Sequence, residues 1–176
     1  MADISVKSIP TKVNKYNIYD EGIRLLGTGD ELTLPDFENV SEAISGAGIL
    51  GEFEDPTVGY FGNQTMEIPW RLLDRAAAKA LNVLKTMHLE IRGACQYLNS
   101  VGDIEIGSIR VVVRGKGASL KSGKLKATTS MESGVTLNLT YILIEINEEE
   151  VVLLDKLNEE FRVLGEDVLA KIKEYC

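Results

Sequence analysis

Apolar and polar residues alternate along much of the second half of the chain, as they do in β-strands with one buried face. Residues 87–97 have this period of two, and so do residues 104–115 and 135–143. We therefore predict three long strands in this part of the chain. The apolar parity shifts near Gly107 and Ser108, which predicts a β-bulge that would bend the second strand.

The strand pattern between residues 104 and 146 is long for the protein that contains it. A straight strand over residues 124–146 would extend about 75 Å. A compact domain of this length has a diameter of about 40 Å. The strand must therefore bend or break, and we place a break at Glu132-Ser133-Gly134, or it must reach out of the domain and pair with another chain.

Shorter elements are predicted elsewhere. Residues 13–26 have the pattern of a hairpin that turns at Asp20-Glu21-Gly22, where glycine supplies a positive φ. Residues 31–34 and 65–70 alternate and predict two short strands. A further hairpin is expected at the end of the last long strand, with its turn at Asn147-Glu148-Glu149.

Two stretches have the period of a helix. Residues 71–84 place a stripe of leucines and alanines at spacings of three and four, and residues 166–175 form a short amphipathic pattern. The order is β, one α, a run of long β, then α. It predicts a single α+β domain over residues 1–176, a mostly antiparallel β-sandwich or partly open barrel flanked by one central helix and a short C-terminal helix.

Two segments lack a clear element. Residues 1–12 are hydrophilic and predict a flexible N-terminus. Residues 45–63 are rich in glycine and contain one proline, which predicts a long loop. Long loops in compact domains are usually functional or mobile. The apolar residues of this segment leave two interpretations open, a loop that docks on another protein and a loop folded over its own core. These residues are Ile49, Leu50, Phe53, Tyr60 and Phe61.

The charge of the chain excludes some partners. Nineteen lysines and arginines stand against 27 aspartates and glutamates, which gives a net charge of −8. A chain with no excess of cations has few counterions to release, which opposes tight binding to a nucleic-acid backbone.

The small number of cysteines, two, fits a reducing compartment. The first residues lack the apolar run of a signal peptide, so we expect synthesis in the cytoplasm.

No pattern for catalysis, a cofactor or a metal emerges. His88 and Cys95 are an odd number of residues apart in one strand and therefore lie on opposite faces. Residues 115–124 look like a phosphate-binding loop but have the wrong glycine spacing, and Leu125 stands where a serine or threonine would hold magnesium. We interpret them as a basic, solvated hairpin turn. We predict a protein that is not an enzyme and that binds no cofactor or metal.

A series of ordered segments carries a family resemblance over residues 13–175. In chain order they are VNKYNIYDEG, ELTLPDFE, SGAGILGEFED, TMEIPW, LEIRGACQ, IRVVVRGKG, KLKATTSMES and LGEDVLAKIKEY. Each is weak alone, whereas their order and spacing are fairly specific. Together they resemble the major tail tube protein of contractile phage tails, a family that also supplies the tube of R-type phage-tail-like bacteriocins.

This resemblance implies a structural protein. Members of the family form hexameric rings that stack into a hollow tube, with strands of neighbouring subunits joined in one barrel around the lumen. The implied partners are further copies of the chain, the sheath protein, and the baseplate and tape-measure proteins. Specific nucleic-acid binding is not implied, although DNA or ions could pass. The expected location is the tail of a virion or a released bacteriocin particle.

The resemblance also assigns a role to the glycine-rich segment. Residues 45–63 match the family's long loop, which contacts the next ring in the stack. We therefore predict that Phe53, Tyr60 and Phe61 help stacking.

An acidic lumen that does not hold DNA by counterion release would let the DNA slide. Two other classes stay open: a monomeric β-barrel module that binds a small ligand, and a hydrolase whose catalytic group has no recognisable pattern.

Overall fold

The computed structural model describes residues 8–176, which form an α+β fold dominated by antiparallel strands. The strands are β1 Ile9–Asp20, β2 Ile23–Arg24, β3 Asn39–Ser45, β4 Glu52–Phe61, β5 Thr65–Trp70, β6 Met87–Leu98, β7 Ile104–Lys121, β8 Ser133–Ile146, β9 Glu149–Asp155, β10 Glu160–Val163 and β11 Glu166–Asp167. Helix α1 is Arg75–Ala78, followed by a 3-10 turn at Lys79–Leu81, and helix α2 is Ala170–Tyr175.

One sheet of nine strands holds most of the chain. Its order is β11-β10-β9-β8-β7-β6-β1-β2, and β5 also pairs with β8. Strand β8 therefore has two partners on one edge: β5 along residues 133–138 and β9 along residues 141–146. The other edge of β8 pairs with β7. The predicted α+β fold with a mostly antiparallel sheet is confirmed.

The sheet curls back on itself. Thr28, which follows β2, forms an isolated bridge with Trp70 at the end of β5. Hydrogen bonds of 2.8 Å flank this bridge on both sides, one from the Gly29 N–H to the Pro69 carbonyl and one from the Arg71 N–H to the Gly27 carbonyl. Both ends of the curl thus meet at β5, and the result is a partly open barrel.

The core fills the inside of this curl. It combines apolar residues of β1, β5, β6, β7 and β8 with two alanines of the helical segment. The fully buried members with the largest side chains are Ile18, Met66, Ile68, Leu89, Leu137, Ile142, Val111, Val113 and Val135. Side chains therefore occupy the space that a ligand would take in a binding barrel.

Two tight hairpins are confirmed. Glu21 and Gly22 have φ values of 48° and 84°, and Asn147 and Glu148 have 53° and 70°. Positive φ at both central residues matches the right-handed twist of the flanking strands. The predicted break near Ser133 is also confirmed, because β8 begins there and residues 124–132 form no strand.

The bulge predicted at Gly107 and Ser108 is wrong. The ladder between β6 and β7 continues unbroken through both residues. The change of apolar parity has another cause, since Ile104 and Ile106 lie on the face of β7 away from the core and are 61% and 56% exposed. The register shifts of β7 occur later, against β8, after Arg114 and after Gly117.

The central helix is much shorter than residues 71–84. Only Ala77 and Ala80 are buried, whereas Leu73, Leu81 and Leu84 of the predicted stripe are exposed. Most helical stability comes from packing an apolar face, and this chain does not cover that face. The C-terminal helix also begins later than predicted, at Ala170, because residues 166 and 167 pair with β10 as β11.

Three further predictions need comment. Residues 31–34 form no strand, although Leu32 and Leu34 pack against the core. Residues 115–121 belong to β7, so the predicted basic turn there is wrong. Residues 9–12 of the predicted flexible N-terminus begin β1, and residues 1–7 lie outside the described part of the chain. Within residues 8–176, no helix is both long and apolar enough to cross a bilayer.

Candidate functional site

Strands β3 and β4 form a hairpin outside the main sheet. Among the described residues they pair only with each other, with Ser45 opposite Glu52. The long loop predicted at residues 45–63 is therefore mostly strand. Its glycines misled the prediction because three of them, at positions 46, 48 and 51, lie in the turn with positive φ. We call residues 38–61 the acidic hairpin, for the charge described below.

The structure separates the three aromatic residues predicted to assist stacking. Phe53 and Tyr60 are 50% and 67% exposed. Phe61 instead packs edge-on against Phe37 and Phe161, with ring centroids 5.9 and 4.9 Å away. Phe61 therefore anchors the hairpin to the body of the protein, while Phe53 and Tyr60 are available at its surface.

The base of the hairpin contacts the C-terminal part of the chain. Gly59 has φ of 75°, and a Cβ at this position would collide with the Leu169 side chain. The Lys156 ammonium donates a 2.8 Å hydrogen bond to the Gly62 carbonyl, and burial lowers the pKa of this lysine. The hairpin is thus held at its base, while Leu50 in the turn is fully exposed.

Every charged side chain of the hairpin is negative. These side chains belong to Glu38, Glu42, Glu52, Glu54 and Asp55, and the hairpin has no lysine or arginine. None of these carboxylates forms an ion pair with a residue in the described range 8–176. Their charge is left to solvent or to another molecule.

A positively charged segment complements it. Residues 106–131 contain six lysines and arginines and no acidic residue. Arg110 pairs with Glu90 and Glu145, and Lys121 pairs with Glu67 at 2.7 Å. The other lysines of the segment have no ion pair within the described part of the chain: Lys116, Lys124 and Lys126.

An ion cluster lies on the face of the sheet away from the core. Glu90 accepts hydrogen bonds from Arg92 at 2.8 and 2.9 Å and another from Arg110. Arg110 also donates to Glu145 at 2.7 Å. The hydrogen bonds from Arg92 and then Arg110 outweigh burial and lower the pKa of Glu90. The two carboxylates and the two guanidinium groups therefore neutralise one another on this face of the sheet.

Apolar residues are left uncovered at one end of the sheet. Ile9, Leu98 and Ile104 stand opposite one another on β1, β6 and β7, and Ile106 follows two residues later on the same face. Ile9 and Ile104 are mostly exposed. The leucines of the helical segment and the apolar residues of the acidic hairpin are exposed as well. Exposed apolar patches on a folded domain mark contact surfaces for other molecules.

The groups examined for catalysis lie apart. His88 is exposed, whereas Cys95 is half-buried and burial raises the pKa of its thiol. No group of three histidines, cysteines or carboxylates within residues 8–176 is arranged to hold a metal ion. The described residues thus present exposed surfaces on which another molecule can dock.

Sequence reasoning missed the role of two glycines in the basic segment. A Cβ on Gly115 would collide with the Asn138 carbonyl, and one on Gly117 would overlap the Ala80 carbonyl of the 3-10 turn. These glycines allow close backbone approach. A glycine inside an alternating strand was the available signal, since it often marks such an approach.

Comparison with known proteins gives two matches. A family model described as phage tail tube protein FII matches residues 10–175. A tail tube protein of Escherichia phage P2 is 24% identical over 165 residues, which cover 92% of this chain and 94% of the relative. The family model extends from β1 through the acidic hairpin to the C-terminal helix.

Proposed function

Because this chain belongs to the phage tail tube protein FII family, we propose that copies of it form hexameric rings that stack into the hollow inner tube of a contractile tail. The particle is a phage tail or an R-type bacteriocin. The protein is structural and performs no catalysis. Its partners are other copies of itself, the surrounding sheath protein, and the baseplate and tape-measure proteins.

The observation that carries this proposal is the acidic hairpin. It is a two-stranded sheet fixed at its base by Phe61 and exposed along its length. Small unprotected sheets with free edges invite pairing with other chains. A monomeric binding protein has no need of such an element, whereas a subunit that must reach a neighbouring ring does. Phe53 and Tyr60 are the contacts that we assign to ring stacking.

The tube serves as a conduit across the target envelope for DNA or for ions. A net charge of −8 supports passage of DNA without retention, because an acidic wall repels the phosphate backbone. In the ion cluster, the carboxylates of Glu90 and Glu145 neutralise the guanidinium groups of Arg92 and Arg110. The sheet face that contains it therefore suits a surface along which a polyanion moves.

Electron microscopy of the purified protein tests this function. In one variant, Asn-Gly replaces residues 46–51, because Ser45 and Glu52 are paired and a two-residue turn fits between them. Wild-type protein is expected to form rings or tubes, and the shortened variant to remain folded by circular dichroism without forming tubes. A wild-type protein that stays strictly monomeric at high concentration would contradict the proposal and favour a ligand-binding module.

A further inference from the structure

Two charged segments of opposite sign lie at the two ends of strand β5. The acidic hairpin ends at Phe61, just before β5 begins at Thr65. At the other end of β5, Trp70 pairs with Ser133, and the Met131 N–H donates a 2.7 Å hydrogen bond to the Arg71 carbonyl. The segment that arrives there, residues 122–132, contains Lys124, Lys126 and one acidic residue, Glu132, and we call it the basic loop. Since six strand residues span about 20 Å, the hairpin base and the basic loop lie at opposite ends of one rigid element.

The acidic hairpin carries carboxylates on both faces, with Glu52 and Glu54 on one and a directly facing pair on the other. Glu42 and Asp55 stand directly opposite each other on β3 and β4, and Ile44 stands opposite Phe53 two residues along on the same face. Two like charges in a direct cross-strand pair destabilise the hairpin that contains them. No cation in the described residues compensates them. The arrangement thus presents two carboxylates beside two apolar side chains.

The basic loop presents the complementary set. Lys124 and Lys126 flank Leu125, which is 88% exposed. The loop is held in shape at its start, where Gly123 has φ of 80° and the Lys124 N–H donates a 2.7 Å hydrogen bond to the Met131 carbonyl. Two unpaired ammonium groups around one apolar side chain therefore project from a fixed backbone.

We propose that the basic loop of one copy receives the acidic hairpin of a second copy. Lys124 and Lys126 pair with Glu42 and Asp55, and Leu125 packs against Phe53. This inference rests on the proposed function, because it names the contact that joins successive rings. The two surfaces differ and lie at opposite ends of β5, so the contact is head-to-tail, and its repetition along one axis lengthens the stack. Two hairpins would instead repel each other.

Charge reversal on each side tests the contact. The acceptor variant carries Lys124→Glu and Lys126→Glu, and the donor variant carries Glu42→Lys and Asp55→Lys. A matched control carries Lys85→Glu and Lys171→Glu, which reverse two exposed lysines elsewhere. Each of the first two is expected to reduce sedimentable polymer by about tenfold or more, because facing like charges oppose association. The control is expected to polymerise as wild type does.

Restoration gives the decisive result. A chain with all four changes has a basic hairpin and an acidic loop, so it is expected to recover polymer. An equimolar mixture of the donor and acceptor variants is expected to co-polymerise for the same reason. Circular dichroism and thermal unfolding establish that each variant is folded. Polymer formed normally by the acceptor variant would overturn the contact, and so would failure of the four-change chain to recover.

The two proposals fail in different ways. If wild type forms tubes and the shortened hairpin does not, but the acceptor variant polymerises, the tube stands and the hairpin docks elsewhere. If wild type forms no assembly, the tube itself is contradicted. A carbodiimide, which joins carboxylates directly to amines, adds an independent readout on assembled wild type. Peptide mapping is expected to link Glu42 or Asp55 to Lys124 or Lys126, and links only to other lysines would overturn the contact.

Discussion

The ring of Phe61 packs edge-on against the ring of Phe161, with centroids 4.9 Å apart and planes at 70°. This contact joins the last residue of β4 to β10, the strand next to the edge strand β11 of the main sheet. Phe37 packs on the ring of Phe61 as well, at 5.9 Å. The acidic hairpin is thus attached through a small aromatic cluster, separate from the main core.

Truncation of the anchor is expected to weaken the fold. Phe61→Ala removes both aromatic contacts and leaves a void, so the free energy of unfolding should fall by about 1–3 kcal/mol. Urea unfolding followed by circular dichroism measures it. Tyr60→Ala is the matched control, because this neighbouring ring is exposed and its loss should change stability by less than about 0.5 kcal/mol. Equal losses for both variants would mean that Phe61 is no anchor.

Phe53 is expected to act in assembly and not in folding. Phe53→Ala should leave the unfolding midpoint almost unchanged, because half of the ring is exposed, while the fraction of protein in tubes falls. Sedimentation of assembled material measures that fraction. Val58→Ala, at an equally exposed position of the same hairpin, should assemble normally. Tubes formed by Phe53→Ala at wild-type yield would remove this residue from the stacking contact.

Gly117 is expected to tolerate no side chain. Gly117→Ala would drive a methyl group into the Ala80 carbonyl and push the 3-10 turn away from β7. Overpacking of this kind costs about 1–3 kcal/mol, and more where backbone must move. Thermal and urea unfolding measure the loss. Gly62→Ala is the control, since nothing lies near its Cβ position. A stable Gly117→Ala protein would show that the turn shifts freely.

Acid is expected to destabilise the protein through Asp155. Burial opposes ionisation of this carboxylate, but hydrogen bonds from the Asn158 side chain and from the N–H groups of Asn158 and Leu157 outweigh it, so its pKa is lowered. A lowered folded pKa stabilises the protein above the unfolded pKa of about 3.9, and this contribution is lost as pH falls through the folded value.

Urea unfolding between pH 7 and pH 3 checks this contribution. Asp155→Asn should lower stability by about 1–3 kcal/mol at pH 7, because it disturbs a buried hydrogen-bond set. The variant should also show a smaller further loss below pH 4 than wild type. Parallel curves for the two proteins across the whole range would contradict a role for this carboxylate.

The long strands, the tight hairpins and the family were predictable because they depend on local signals. Alternation over β6, β7 and β8 and two-residue turns at Glu21-Gly22 and Asn147-Glu148 specify their own geometry. The short extent of the central helix was not predictable, because the spacing of its leucines does not reveal whether another part of the protein covers them. The anchoring role of Phe61 was also hidden, since its partner Phe161 comes from a distant part of the chain.

The two partners of β8 on one edge determine the order in which the protein can fold. Strand β5 is synthesised early, yet its ladder partner begins only at Ser133. Apart from the bridge between Trp70 and Thr28, its apolar residues Met66, Ile68 and Trp70 therefore have no strand partner until more than sixty further residues have been synthesised. Pairing over such separations is slow and leaves intermediates prone to aggregation. The formation of β8 is thus a late step, and it converts an aggregation-prone nascent chain into a folded subunit.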